Sequence, residues 1–445
     1  MMKNNEAGLS AWGLTMMALG TVVGGSFFLG SAIAIRASGP AVIIAYLLGG
    51  GLVYLILFAL SEMTVADADP GSFRTFAERE FGPLVGFIVG WVYWTGLVLA
   101  MSSEATAVAL FLRVWFPKIS VSLLGMLIII GITLLNLLGA ERLSKLESGL
   151  AAIKLLAIVG FIVIAFVLVT GVIPDMAAIG IGQLKNEPLF PRGISGIAGS
   201  MLIVMFTYAG FEIIGLAASE TPDPDHTVPR AITYTVLGLV GLYTVAIALL
   251  LPLISTEELT EEVSPFVAAL QAKGINWAAG IMNIVLVTAI LSTMLAATFG
   301  LGRMIRSLAD EGYAPVWVKD KTDVPYRGII FSGVAMLLAL GMSFILPKKV
   351  YLFLISSGGF SLLFTYLIIL ATHYKFRKCE GCPPRGNCQL IGYPYTSWIA
   401  IILLIAIIGS MPLIKGQGLG LIAGLSLVAF YSLCYFISKH KKNNT

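Results

Sequence analysis

The 445-residue sequence predicts an all-α integral membrane protein with twelve spanning helices, and three observations carry that fold class. Hydrophobic residues make up 58% of the chain and charged residues only 12%, whereas a soluble domain carries about 25% charged residues. A chain this apolar has no surface to offer water, and lipid removes the difficulty. The apolar runs are also continuous rather than alternating, which argues against a membrane barrel. Backbone groups in hydrocarbon must be satisfied within their own segment, so such runs read as helices. The 48 glycines agree, since glycine is commoner in membrane helices than in soluble ones.

A span needs about 20 mostly apolar residues. On that rule the segments are 12–35, 41–65, 84–112, 121–139, 149–172, 194–218, 230–254, 276–302, 328–346, 350–372, 396–413 and 418–437. The ninth and tenth are separated only by Pro347, Lys348 and Lys349. The opening MMKNNEAGLSAW is short and polar, and the first apolar run is too long for a signal-peptide core. An even number of spans puts both termini on one side. The larger share of the 28 Lys and Arg falls in loops on that side, including Arg74, Arg142, Arg303, Arg306, Arg327 and Arg377. The positive-inside rule then makes both termini cytoplasmic. The longest loops, Pro174–Arg192, Leu308–Arg327 and Tyr374–Pro394, are too short for a separate core. A net charge of +4 is too small to argue for nucleic acid.

Two spans interrupt their own helical pattern. The first contains Gly24-Gly25-Ser26, its least helix-committed point. The sixth contains Phe206-Thr207-Tyr208-Ala209-Gly210-Phe211-Glu212, a glycine and a carboxylate in mid-span. Gly-interrupted segments at matching places in two repeats point to a transporter's central site. The first and sixth of twelve spans fit two inverted five-helix repeats, 12–172 and 194–372, with 396–437 appended. An unwound helix offers N–H groups at one half-helix end and C=O groups at the other. One short molecule with a carboxylate and an ammonium would bridge them, an α-amino acid. The competing reading is close helix packing through small residues.

The stretch Gly20–Pro40, GTVVGGSFFLGSAIAIRASGP, resembles the first-span signature of the amino acid–polyamine–organocation superfamily, and most of all its bacterial amino-acid transporter branch. Further matches follow in order: Ala59–Met63, Gly90-Trp91-Val92-Tyr93-Trp94, Ile153-Lys154, Ala218-Ser219-Glu220, Pro229–Ile232, Arg303-Met304-Ile305 and Gly312–Pro315. The resemblance implies a LeuT-type fold, alternating access and amino-acid uptake driven by protons, with no cofactor beyond the proton. It puts the carboxylate-binding backbone on Gly24, Gly25 and Ser26. It puts the amine-binding carbonyls near Val22, Phe206 and Tyr208, so that Thr207 and Gly210 fall in the same site. Relatives usually carry Gly-Ser/Thr-Gly where this chain has Gly24-Gly25-Ser26, so the hydroxyl stands one residue away. In span eight they often carry Asn-Ser where Leu295 and Ala296 stand. Together with Leu291, these residues suggest a neutral, apolar substrate side chain.

Ionisable groups inside a membrane are costly and therefore functional candidates. In the resembling family a lysine at the position of Lys154 replaces a sodium site, and its proton stands in for the ion. The alternative is a lysine snorkelling to the nearby boundary. Glu212 resembles a gate glutamate and suits a proton relay; equally, it suits a carboxylate capping the second half-helix. Glu104, well inside span three, lines the pathway or bonds to a neighbouring helix. Glu62 at the end of span two reads as structural.

Four cysteines are too few for a disulfide framework. Cys379, Cys382 and Cys388 fall in the predicted Tyr374–Pro394 loop, where a cytoplasmic setting predicts reduced thiols. With His373 or water they are weak candidates for zinc. Three functions compete: a proton-coupled amino-acid symporter, an exchanger on the same fold, and a non-transporting amino-acid sensor. No carbonyl-ring filter speaks for a channel, and no HExxH or GxSxG speaks for an enzyme.

Overall fold

The computed structural model describes residues 10–443 except 68–70, 139, 173–177, 213, 216–220, 222, 321–323, 342–349 and 383–387. Among these residues the chain is nearly all helical and contains no strand. The first expected span is built from α1 (Ala11–Val22), α2 (Gly25–Phe28) and α3 (Gly30–Ser38). There follow α4 (Val42–Ala66), α5 (Phe73–Phe81), α6 (Pro83–Leu112), α7 (Val121–Asn136), α8 (Ala140–Thr170) and α9 (Gly193–Thr207). The second half contains α10 (Pro224–Leu250), α11 (Pro265–Ala272), α12 (Asn276–Asp310), α13 (Tyr326–Gly341), α14 (Val350–Glu380), α15 (Tyr395–Ser410) and α16 (Gly418–Asn443).

Among the described residues eight helical stretches are long and apolar enough to cross a membrane, so this is a multi-pass membrane protein. Four of the expected segments, 12–35, 121–139, 194–218 and 328–346, are met by the shorter apolar helices α1, α7, α9 and α13. In α1 and α9 the reason is the interruption itself. Both α7 and α13 have 16 residues, about 24 Å at 1.5 Å per residue. Pro347, Lys348 and Lys349 lie outside the described residues. The predicted loop beginning at Tyr374 is corrected, because α14 continues to Glu380 and carries His373, Arg377 and Cys379 on its last turns.

Local chemistry sets many ends. The hydroxyls of Ser10 and Ser120 accept from Gly13 N–H (3.1 Å) and Leu123 N–H (3.3 Å), capping α1 and α7. Pro83, Pro224 and Pro265 open α6, α10 and α11, where a missing N–H costs nothing.

Burial separates an inner from an outer layer. The most apolar window of Tyr351–Glu380 is 72% buried, whereas that of Gly418–Lys439 is 17% buried. The outer helices show lipid a row of large apolar side chains, such as Leu156, Val163 and Phe166 on α8 and Leu425, Leu433 and Phe436 on α16. Inner helices approach through small residues. A Cβ at Gly50 of α4 would lie 2.2 Å from Val240 on α10, and one at Gly96 of α6 would lie 2.5 Å from Ser361 on α14.

At one end of the bundle, α5 is tied to α12. The fully buried Arg74 donates to both carboxylate oxygens of Glu311, at 2.6 Å for Nη1–Oε2, and to Glu78 at 3.1 Å. Tyr313 closes the set by donating to Glu78 at 2.6 Å. At the other end, α11 lays Phe266 edge-on against Phe28 (5.8 Å) and Phe161 (4.8 Å).

Candidate functional site: two helix breaks and two buried charges

The first break spans two residues. Val23 (φ −72°, ψ 98°) and Gly24 (φ −140°, ψ −166°) are extended between α1 and α2. The second follows α9, where Tyr208 leaves the helix and Gly210 takes φ 105°, a region that favours glycine. The breaks face each other, since a Cβ on Gly210 would lie 3.3 Å from Thr21 Cγ2 and 3.4 Å from the Thr21 carbonyl oxygen.

A break exposes backbone groups that need partners, and α6 supplies one. Glu104 Oε2 accepts from Gly25 N–H at 2.7 Å and Oε1 from Ser26 N–H at 2.9 Å. The carboxylate is 3% exposed, so these bonds replace water. Two of the three backbone positions expected to take a substrate carboxylate are thus held by the chain's own carboxylate. Gly25 has no room for anything larger, as a Cβ there would lie 2.4 Å from Glu104 Oε2.

Lys154 provides the other buried charge. It is 0% exposed, which rules out the snorkelling geometry. Its ammonium donates to the Gly20 carbonyl at 2.5 Å and to Thr293 Oγ1 at 2.8 Å. The Thr293 hydroxyl lies 3.1 Å from the Val23 carbonyl and 3.3 Å from that of Ala289. One lysine of α8 and one threonine of α12 therefore hold the last turn of α1 and the extended residue beyond it. Close approach is permitted by Gly20, where a Cβ would stand 2.9 Å from Ala151 Cβ on α8.

Glu212 serves the second break. Its Oε2 accepts from Gly210 N–H (3.1 Å) and from Tyr366 (3.2 Å), and its Oε1 accepts from Tyr93 (3.0 Å). The backbone donor is the N–H of Gly210, two residues before Glu212, rather than an N–H of the half-helix that follows, and two tyrosines tie the carboxylate to α6 and α14. Tyr208 donates to the Tyr46 carbonyl at 3.1 Å and sits in a buried aromatic cluster with Tyr46 and Tyr243. Tyr243 also stacks on Phe27 at 3.7 Å between ring centroids. Thr207 bonds back to the Val204 carbonyl at 2.7 Å. The Phe206 carbonyl accepts from Ala209 N–H at 3.1 Å. Val22 and Leu295 are buried.

The structure brings together Gly24, Gly25, Ser26, Glu104 and Lys154 around the first break, with Gly210 against α1. The residues missed by the sequence reading are Thr293 and Gly20. A threonine in an apolar span gives little signal, because such hydroxyls commonly bond back to their own helix. Ala218, Ser219 and Glu220 lie outside the described residues.

The zinc reading of the cysteines is corrected. Cys382 and Cys388 are joined in a disulfide, with Cα atoms 5.2 Å apart, and so offer no thiolates. His373 donates instead to Glu62 at 2.6 Å, and Cys379 is exposed. Among the described residues no three His, Cys, Asp or Glu side chains converge as a metal site. Glu62, expected to be structural, is fully buried and anchors this end of α14.

Comparison with known proteins settles the family. Residues 13–440 match the profile described as Amino acid permease. The chain belongs to the amino acid permease family. This permease is 33% identical over 436 residues to a probable GABA permease of Pseudomonas aeruginosa, covering 96% of the chain and 91% of the relative. It is 31% identical over 427 residues to a gamma-aminobutyric acid permease of Bacillus subtilis, covering 94% and 91%. It is 30% identical over 421 residues to the aromatic amino acid transport protein AroP of Escherichia coli O6:H1, covering 93% and 91%. These are transporters, and the permease is a membrane transporter of amino acids rather than an enzyme.

Proposed function

We propose that the permease imports a zwitterionic amino acid with a neutral, apolar side chain across the cytoplasmic membrane, coupled to protons and working by alternating access. The observation that carries this reading is the pair of buried charges at one helix break. Lys154 holds the Gly20 carbonyl, and Glu104 holds the Gly25 and Ser26 N–H groups. The substrate carboxylate takes those two N–H groups from Glu104. The displaced Glu104 then meets the substrate ammonium, with carbonyls near Val22, Phe206 and Tyr208 completing the amine site. Lys154 carries the coupled proton. Its loss removes the charge-assisted bonds between α8, α1 and α12, which frees the break to move. Glu212 holds the second break and relays protons at the gate.

The architecture in this reading is the LeuT type: twelve spans, inverted repeats at 12–172 and 194–372, two appended helices at 396–437, and both termini in the cytoplasm. It is supported by breaks in the first and sixth apolar segments that lie against each other. For the substrate, the GABA and aromatic amino acid relatives share a zwitterion without net charge, and the buried Leu295 favours an apolar side chain.

The test is uptake of a labelled amino-acid panel into proteoliposomes with and without an inward proton gradient. Accumulation of neutral amino acids that collapses with a protonophore is expected. Uptake only against a preloaded amino acid would make the protein an exchanger. Silence across the panel would overturn transport and favour a sensor.

A further inference from the structure

We propose that Cys382 and Cys388 form a thiol-modification site whose oxidised state docks the chain onto buried Glu62 and slows turnover. The docking contact is built from backbone. Gln389 N–H and Leu390 N–H both donate to Glu62 Oε1 at 2.6 Å, and His373 donates to Oε2 at 2.6 Å. Ser61 donates to the Gln389 side chain at 2.5 Å. Glu62 is 0% exposed, so losing the two amides would strand much of a buried carboxylate. Cys388 immediately precedes Gln389 in the chain. Its bond to Cys382, two residues beyond the end of α14, fixes the approach of those amides to α4.

Arg377 connects the disulfide to the carboxylate. Its Nη1 lies 3.4 Å from Glu62 Oε1 and 3.1 Å from the Leu390 carbonyl, and its Nη2 lies 3.9 Å from Cys382 Sγ. Cys388 is exposed and Cys382 half-buried. A small thiolate, of the glutathione class, attacks the Cys388 sulfur and forms a mixed disulfide there. Cys382 leaves as a thiolate beside the Arg377 guanidinium, which favours it as the leaving group. A second small thiolate attacks the mixed disulfide, releasing Cys388 and the oxidised small disulfide. The protein gains two electrons and the two small thiols lose them. Released, the Cys382 thiolate draws Arg377 from Glu62, and Gln389 and Leu390 lose the covalent link that holds Cys388 beside them. Disulfides that occur in a reducing compartment are chiefly transient and redox-sensing. The bearing on turnover rests on the proposed transport function and topology, because α4 and α14 must then shift against each other.

The test uses full-length protein in proteoliposomes poised with reduced or oxidised glutathione. Of the four cysteines, two are expected to label with maleimide in the oxidised state and four in the reduced state. Amide exchange at Gln389 and Leu390 is expected to be at least tenfold slower when oxidised, and initial uptake at least fivefold slower. Cys388→Ser and Cys382→Ser should each behave as the reduced protein under both conditions. Four labelled thiols under oxidised glutathione, or equal exchange in both states, would overturn the site. Unequal exchange with equal uptake would overturn control of turnover. If neither state transports any amino acid, the failure belongs to the transport reading, and exchange still decides the switch.

Discussion

Replacing Gly25 with alanine tests the self-held helix break most directly. The new methyl would sit 2.4 Å from Glu104 Oε2 and 2.8 Å from Ile290 Cδ1. The isoleucine end can rotate, but the carboxylate must retreat by about 1 Å to reach ordinary contact. That movement breaks the bonds of 2.7 and 2.9 Å to Gly25 and Ser26. Hydrogen bonds to charged groups are worth about 1.5–3 kcal/mol each, and the retreating carboxylate regains part through other partners. A loss of about 3 kcal/mol is expected from Gly25→Ala. Glu104→Ala alone loses the same bonds and leaves two buried N–H groups unpaired, again about 3 kcal/mol. The double variant has no carboxylate left to displace, so it should cost little more than either single change. Equilibrium unfolding in mixed micelles measures the cycle, with an expected coupling of about 2 kcal/mol or more. Additivity within about 0.5 kcal/mol would refute the contact.

Other changes read the same site. Lys154→Ala should abolish pH-gradient-driven accumulation while binding of substrate, followed by ligand-induced thermal stabilisation, persists; unchanged accumulation would remove Lys154 from coupling. Thr293→Val keeps the shape but loses the hydroxyl between Lys154 and the first break; it should cost about 1–3 kcal/mol, with Thr293→Ser restoring most of it. Tyr366→Phe and Tyr93→Phe each remove one donor from Glu212 and should each cost about 1–2 kcal/mol, the pair together more than the sum if the carboxylate is left unsupported. A transported amino acid should compete for its own uptake at least tenfold better than the corresponding amine without a carboxylate; equal competition would count against displacement of Glu104.

Most of the helical scaffold could be read from hydropathy because lipid imposes one rule on every spanning segment. The breaks were legible for a different reason: Gly24-Gly25 and Gly210 are weak helix formers placed in mid-span. The short helices α5 and α11 were not legible, since each lies in a polar connection where no long apolar run marks it. Nor was the length of α14, whose last turns carry His373, Arg377 and Cys379 where polarity suggested a loop. At the site, a carboxylate at Glu104 was visible as an anomaly in an apolar span. Its partner was not, because Gly25 lies 79 residues away and depends on the register of α6 against α1. The disulfide was hidden by the expected compartment: a cytoplasmic setting, expected from the charge count, favours thiols as a class, while the approach of Cys382 to Cys388 depends on the turn that ends α14.

Within the proposed function, the arrangement at the first break explains how one site can be both stable without substrate and responsive to it. An unwound segment in hydrocarbon needs its N–H groups satisfied at all times. If only substrate satisfied them, the empty protein would lose the break or fill it with water. Glu104 supplies an internal partner, so the break persists between turnovers. Competition follows, because apparent affinity falls by the fraction of molecules whose N–H groups are released. A state in which Glu104 is bound 99 times in 100 lowers affinity about a hundredfold, or about 2.7 kcal/mol. The displaced carboxylate recovers part of that by meeting the substrate ammonium, or by taking a proton. A ligand with only a carboxylate offers Glu104 no counter-charge, and a ligand with only an amine never displaces it. In that reading, selection for a zwitterion therefore begins with the exchange of partners at Gly25 and Ser26, and the carbonyls near Val22, Phe206 and Tyr208 complete the amine site.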